Sequence, residues 1–478
     1  MVAGVAVPLS NDDSWSHRFG LRDFAFNPDT GFAELNGQTY FLRGTNICLF
    51  RFFEDSQRGA KPWDRAWVRT LFERMKEMKW NSFRFCLGPA PRWWYDLCDE
   101  MGFLVQDEFP IWYGAEAATY PAAFTAEALV PQYADWMSER WNHSSIVIWD
   151  AQNESVTAET GKAIRRVRGI DLSDRPWDNG YSPPQRATDP IEAHPYVLQN
   201  FLGRDPGPQG PLYEFMRERR IPDNGPSELY PPEGGGIYPN PIQNNENVFF
   251  WITREGAPTA LTRWIFTRMF PEDTTADEYY RAYGYMYHRL ISYWRVHRTS
   301  ATVQEFCVLG YSRGIEDEGY TADNFVDLDT LTFKPHYRDY AYAAFYPIGL
   351  LMNRWEEIHS PGKQLQLPVL MCNDLNQPWA GSVMLRLIDA TGAVMWEGER
   401  STSLSPLGTT EFGIDVPLPE TFGDYVLEAS YQHDGETIRH EYRFTIGDEP
   451  VIEPAPETPK ENDQFIHVED SGILEVTE

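Results

Sequence analysis

From about residue 40 onward the chain changes its hydrophobic period, and changes it back, at intervals of roughly 30 residues. Residues 64–78 carry apolar side chains at 67, 68, 71, 72, 75 and 78, the spacing of an amphipathic helix. A strand-like run over 81–86 follows, then a helix over 91–101 that stops at Gly102, a strand over 103–108 and a helix over about 121–140. An apolar, β-branched run at 146–149 comes next. Such alternation is the sequence sign of βαβ units around a parallel sheet. Further strands are predicted over 40–46, 175–179, 191–196, 248–255 and 302–309, with helices near 211–220, 276–298 and 336–357. Eight strands between about residues 40 and 310 is the arithmetic of a (β/α)8 TIM barrel. A doubly wound open sheet fits the alternation too. The barrel is preferred because polar residues gather after many different strands and no phosphate-binding glycine motif follows the first.

The flanks differ in character. Residues 1–20 read as unstructured, and the turn signals at Asn27-Pro28-Asp29 and Asn36-Gly37 predict a hairpin after them. The segment 222–240 is dense in Pro and Gly, as expected of a lid or binding wall, or of a surface insertion. From 364 to 446 the chain alternates in short runs broken by turns at Asn373-Asp374, Thr391-Gly392, Gly423-Asp424 and Asp434-Gly435, which predicts an immunoglobulin-like β-sandwich. Beyond it, ten acidic residues and four prolines against a single Lys460 predict a disordered tail. The expected division is an N-terminal segment and linking strand (1–34), the barrel (35–357), the sandwich (362–447) and the tail (448–478).

Composition removes several function classes. A formal charge of −30 argues against nucleic acid and against an anionic membrane surface, both of which need a basic footprint. The five Cys include no C-x-x-C pair, and there is no H-E-x-x-H, so neither disulfides nor a metal site are predicted. No window of about 18 apolar residues predicts a membrane span. The N-terminus lacks the basic start of a signal peptide, which makes the cytoplasm the default compartment. Aromatics at 15% supply flat faces suited to sugar rings, nucleobases or partner surfaces.

The run at 146–149 ends in Asp150, Asn153 and Glu154. Polar groups at the C-terminal end of a barrel strand are more often catalytic than structural, although Asn153 or Ser155 could also cap a helix. Burial would raise a carboxyl there, as a general acid needs. Glycoside hydrolysis with retention uses two carboxylates about 5–5.5 Å apart. Glu154 ends the fourth predicted strand, and Glu255 ends the seventh. The texts FLRGTN (41–46), NSFRFC (81–86), WWYDLCDEMGFLVQDEFP (93–110) and WNHSSIVIWDAQNES (141–155) together resemble the catalytic barrel of glycoside hydrolase family 2 over about residues 35–355. That family includes β-galactosidases, β-glucuronidases and β-mannosidases.

The resemblance implies that Glu154 is the acid/base, Glu255 the nucleophile, Asn153 a partner of the sugar 2-hydroxyl and Arg84 the group that orients the nucleophile. It also implies that His194 and Tyr196 line the pocket. Glu255 meets Gly256 directly, where the family usually has an aromatic between them. Glu246 and Glu305 are rival nucleophiles. Asp107 and Glu108 are expected at the barrel rim or near substrate, Arg254 on a charged sugar group or in a salt bridge, and Trp149 and Trp251 in the core. The function implied is a retaining exo-β-glycosidase, β-galactosidase-like, acting on carbohydrate without a cofactor. The alternatives are a catalytically inactive carbohydrate-binding protein, or a serine esterase using Ser312 of the G-x-S-x-G text at 310–314. Family 2 enzymes usually carry a jelly-roll and an immunoglobulin-like domain before the barrel. With about 35 residues there, three alternatives stay open: the chain is a fragment, a homo-oligomer or partner chain supplies the missing N-terminal domains, or the site is more open than usual.

Overall fold

The computed structural model describes residues 18–113, 120–202, 225–311 and 321–448, with Leu212, Met216 and short backbone segments in the first 17 residues. Eight parallel strands form one sheet: β1 (Leu42–Ile47), β2 (Ser82–Phe85), β3 (Leu104–Glu108), β4 (Ile146–Asp150), β5 (Trp177–Asp178), β6 (Ile191–Ala193), β7 (Ile242–Asn244) and β8 (Thr302–Leu309). Their order is 5-4-3-2-1-8-7-6, so first and last strands pair and the ring opens only between β5 and β6. This is the predicted barrel. The register sets Asn46 beside Arg84, Arg84 beside Gln106, Glu108 beside Asp150 and Asp150 beside Asp178.

Strand alternation decides which side chains meet the helices. Phe83 and Phe85 of β2 face outward, where Phe83 lies 5.6 Å from Phe72 and Phe85 lies 5.2 Å from Tyr95. Phe72 belongs to α2 (Arg65–Glu77), the long helix after α1 (Leu49–Glu54), and the buried Trp67, Val68, Leu71, Phe72 and Met75 of α2 follow the predicted spacing. The Asp64 carboxylate caps α2, accepting from the Ala66 and Trp67 amides. α3 (Arg92–Met101) stops at Gly102, which holds a left-handed φ of 71°. The predicted hairpin, Phe24–Asn27 against Phe32–Leu35, packs Phe24, Phe26 and Ala33 with Leu42, Val147, Ile148 and Ala301.

Several boundaries differ from expectation. Residues 1–20 are not wholly irregular, since Val2–Gly4 pairs with Arg18–Gly20. The seventh strand is not 248–255 but Ile242–Asn244, whose polar text gives no hydrophobic signal. The helix expected over 336–357 stops at Phe345 (Tyr337–Phe345), before Pro347, which cannot donate to a helix. The chain then enters a strand, β9 (Ile348–Met352), and after the short β10 (Ile358–His359) reaches β11 (Gln364–Asn373), which pairs with β9, so the sandwich draws in residues ahead of 362. The tail beyond 448, most of 211–220 and Ser312 lie outside the described residues. Among the described residues, no helix is long and apolar enough to cross a membrane.

The sandwich packs one sheet of β9, β11 and Thr409–Pro417 against a second of five strands between Ile358 and Ile446. Asp374, in the turn after β11, fastens it to the barrel. Its fully buried carboxylate meets Arg295 at 2.7 Å, Arg298 at 2.6 Å and Arg43 of β1. Burial alone would raise this carboxyl. The three guanidinium groups outweigh burial and hold it well below the usual carboxylate range. Its contribution to stability is therefore present above the unfolded value of about 3.9 and lost as pH falls through the lower folded value. Asp374→Asn leaves three buried cations underpaired and is expected to cost about 3–5 kcal/mol at pH 7. Urea unfolding should register that deficit, and the gap to wild type should narrow below about pH 4.

Candidate active site

The interior of this barrel turns polar toward its C-terminal end, the end at which barrels of this kind carry their active sites. Arg84 of β2 is its centre and is fully buried. Its Nε donates to Asp150 of β4 at 3.0 Å, and its Nη1 to Glu246 at 2.6 Å. Its Nη2 donates to Asn153 Oδ1 at 2.8 Å, lies 3.4 Å from Glu192 and pairs with Glu108 of β3. Gln106 donates to Asp150 at 2.7 Å, and Gln243 to Asp178 at 2.8 Å. An arginine is suited to this place because its fork of donors serves several carboxylates at once.

Above this layer lies a second one, nearer solvent. The strained residue Glu154, with φ 42°, follows β4 and keeps 24% of its side chain exposed. Its carboxylate is 2.6 Å from His194 Nδ1 and accepts from the Tyr181 hydroxyl at 3.3 Å. His194, just after β6, reaches Glu192 through Nε2 at 3.3 Å and Glu246 through Nδ1 at 3.6 Å. The Tyr196 hydroxyl donates to Glu246. An oxygen of Glu154, a nitrogen of His194 and an oxygen of Glu246 all lie within 4.8 Å of one another. The described part of the Pro/Gly-rich segment supports this wall. A Cβ on Gly225 would come within 2.2 Å of the Tyr181 ring, so the backbone there packs directly on a ring whose hydroxyl bonds Glu154.

Charge is unevenly shared. Burial raises Glu108 and Asp178 well above the carboxylate range, and raises Asp150 as well. Burial also raises Glu192, to about 7, although His194 and Arg84 oppose it. Burial would lower the His194 imidazole, but Glu246, Glu192 and Glu154 outweigh that and raise it to about 9. Glu154 runs against expectation. Burial pushes its carboxyl up, yet the His194 hydrogen bond and charge, with Arg84, bring it below its ordinary value. At neutral pH the pair therefore holds one proton, on the imidazole. The trios Glu154/His194/Glu246 and Asp150/Asp178/Glu192 have the spacing to hold a cation. In this structure His194 and Arg84 already bring positive charge to both.

The structure brings Arg84, Asn153, Glu154, His194 and Tyr196 together and leaves Glu255 out. Glu255 is exposed in the turn after Thr253, beside Tyr280 and Lys334. The apolar text that suggested a strand is an irregular buried segment: φ is 86° at Val248 and 22° at Phe249, and Phe250 stacks 4.0 Å from Phe266. Glu246, two residues beyond β7, stands where the seventh strand delivers its carboxylate. Glu305 faces away from the cluster, bonded to Thr45 and, at 2.9 Å, to Asn324; burial raises it to about 8. Asp107 also faces outward, to Tyr95, Trp136 and Arg140, whereas Glu108 faces in. Arg254 is a salt-bridge residue, 2.8 Å from Asp55 and paired with Asp323. Trp149 and Trp251 are buried core. Sequence reasoning missed Glu192 and Tyr181; the text Glu192-Ala193-His194-Pro195-Tyr196 carried the signal for the first, two residues before His194.

Comparison with known proteins bears on the barrel and the sandwich. Residues 30–176 match the family model described as glycosyl hydrolases family 2, TIM barrel domain, and residues 366–445 match the mannosidase Ig/CBM-like domain. A β-galactosidase of Enterobacter cloacae is 34% identical over 144 residues, which are 28% of this chain and 13% of that protein. An exo-chitosanase of Amycolatopsis orientalis superposes with a TM-score of 0.62 at 11% identity, over 94% of this chain and 54% of its own. A β-D-mannosidase of Dictyoglomus thermophilum gives 0.56 at 16% identity, over 90% and 54%. These two likenesses establish the fold. The chain spans about half the length of those solved chains and a smaller share of the curated relative.

Arg84→Met is expected to destabilise the fold by about 3–5 kcal/mol, because it removes the cation that four buried carboxylates share. The loss should be larger at pH 8 than at pH 6, since without Arg84 those carboxyls are driven further toward the neutral form. Urea unfolding at the two pH values checks the sign.

Proposed function

Starting from a chain that carries a family 2 glycosyl hydrolase barrel, we propose that it is a retaining exo-β-glycosidase that removes terminal β-linked sugars. Glu154 is the acid/base in this reading and Glu246 the nucleophile, in place of Glu255. The observation that carries it is the approach of the Glu154 and Glu246 carboxylates, with His194, to within 4.8 Å across the barrel mouth. That spacing suits direct attack by the second carboxylate and leaves no room for the intervening water of an inverting site. β-Galactosides are the first substrates to test.

In the first step a Glu246 oxygen bonds to the anomeric carbon and the glycosidic C–O bond breaks. The leaving oxygen takes a proton from the Glu154–His194 pair. Arg84 and the Tyr196 hydroxyl hold the Glu246 carboxylate for attack. In the second step water adds to the anomeric carbon, the ester to Glu246 breaks and the water proton returns to the pair. Asn153 is placed beside the sugar 2-hydroxyl in this reading, its Oδ1 fixed by Arg84. One observation favours a sugar-binding protein without turnover: the lowered Glu154 carboxyl, which rests ionised. Proton supply from His194 answers it.

Chromogenic β-glycosides separate these readings. Glu154→Gln and Glu246→Gln are each expected to lower kcat on a β-galactoside or related glycoside by about 10³-fold or more, whereas Glu255→Gln should stay near wild type. A 2-fluoro glycoside should label Glu246, read by peptide mass; a label on Glu255, or turnover surviving in Glu246→Gln, rejects the assignment. Sugar binding without turnover in wild type would favour the inactive reading, and ester hydrolysis lost in Ser312→Ala the esterase.

The proton pair gives a pH signature. His194 loses its proton near pH 9, and with it the pair loses its acid. Activity as kcat/KM is therefore expected to fall above about pH 9 in wild type. In His194→Asn the proton must sit on Glu154 itself, so the basic limb should move to lower pH. An unmoved limb shows that His194 does not supply the proton.

A further inference from the structure

The loop after β3 holds an aromatic side chain that the reaction as described does not use. The Asn153 amide donates to the Ile111 carbonyl at 2.9 Å, and the Tyr113 amide to Ser155 Oγ at 2.8 Å. Residues 111–113 therefore run alongside 153–155, with Trp112 abreast of Glu154. Ile111 turns into the core, whereas Trp112 remains 44% exposed, a large apolar surface beside a polar cleft. The Trp112 ring lies 5.8 Å from the guanidinium carbon of Arg51. Arg51 is on the helix Leu49–Glu54 that follows β1, and its charge is felt by Cys307 of β8. A ring carried after β3 that touches a residue carried after β1 spans the loop after β2, and so forms part of the rim of the mouth. The Arg51 guanidinium also lies 5.4 Å from the Phe50 ring, and its Nε is buried with no hydrogen-bond partner among the described residues. It is thus held between two aromatic rings.

We propose that Trp112 and Arg51 form a leaving-group subsite that takes the second sugar ring of a β-linked disaccharide. The inference rests on the reading of Glu154 as the acid. A group that delivers its proton to the glycosidic oxygen stands on the side where the leaving sugar sits, and the wall paired with Glu154 is 111–113. The flat apolar face of a pyranose covers the indole, and Arg51 donates to oxygens on that ring. Recognition of this kind lowers the barrier only for substrates that possess a second ring.

The experiment compares a β-linked disaccharide with the fluoride of the same terminal sugar, which has no second ring, in wild type, Trp112→Ala, Trp112→Phe and Arg51→Met. Trp112→Ala is expected to lower kcat/KM on the disaccharide by about tenfold or more, the effect of exposing one stacked apolar face, and to leave the fluoride within about twofold. Trp112→Phe, which keeps a flat ring, should recover most of that loss, and Arg51→Met should lower the disaccharide value alone. Equal losses on both substrates, or none on either, overturn the subsite and leave the Glu154 assignment standing. Disaccharide turnover that survives in Glu154→Gln removes the underlying reading instead. Calorimetry on Glu246→Gln gives a readout without turnover: the second ring should tighten binding, and adding Trp112→Ala should abolish that gain. Equal affinity for one ring and two, in the presence of Trp112, also overturns the subsite.

Discussion

One buried guanidinium decides how this barrel can be filled. Arg84 lies within hydrogen-bond or ion-pair distance of Glu108, Asp150, Glu192 and Glu246, and it also fixes Asn153. Four other strands or strand ends, those of β3, β4, β6 and β7, thus converge on a single side chain of β2. Buried carboxylates left without that cation would each have to take up a proton or leave the interior. With it, they form a rigid floor from which the groups nearer solvent project. Precision at the mouth is inherited from packing beneath it.

The floor also sets the proton count above. Carboxyls that burial drives toward the neutral form stay quiet, and the mobile proton of the upper layer comes to rest between Glu154 and His194. Desolvation alone would have made Glu154 the protonated member. The imidazole reverses that because it faces Glu246 and Glu192 as well as Glu154, and three carboxylates outweigh the cost of burying one cation. The same competition, settled the same way with the signs exchanged, keeps Asp374 charged at the seam between barrel and sandwich, where three arginines surround one carboxylate.

The alternation of periods, the helix α2 with its Asp64 cap, the strand 146–150 and the paired hairpin at 24–35 were legible in the text because each rests on neighbours in sequence. So were Glu154, Asn153, Arg84, His194 and Tyr196, since each stands at a strand end beside recognisable text. Glu246 was legible only as a rival. Its strand, Ile-Gln-Asn, is lined with polar groups because it faces Asp178 and the other interior side chains, and a hydrophobicity pattern has no means to report that. The apolar run at 248–252 drew the assignment away, although its hydrophobicity serves packing against Phe266 and Phe306.

By itself, then, the sequence determined most of the element types, the alternation of strand and helix through the first half of the barrel and a set of candidate site residues, all of which follow from local spacing and side-chain type. Only the tertiary structure decided which second carboxylate meets Glu154, and in which protonation state the two face each other. Those outcomes depend on distances among Arg84, His194 and Glu246, residues up to 162 positions apart, and on a burial that no short stretch of chain possesses until the barrel closes.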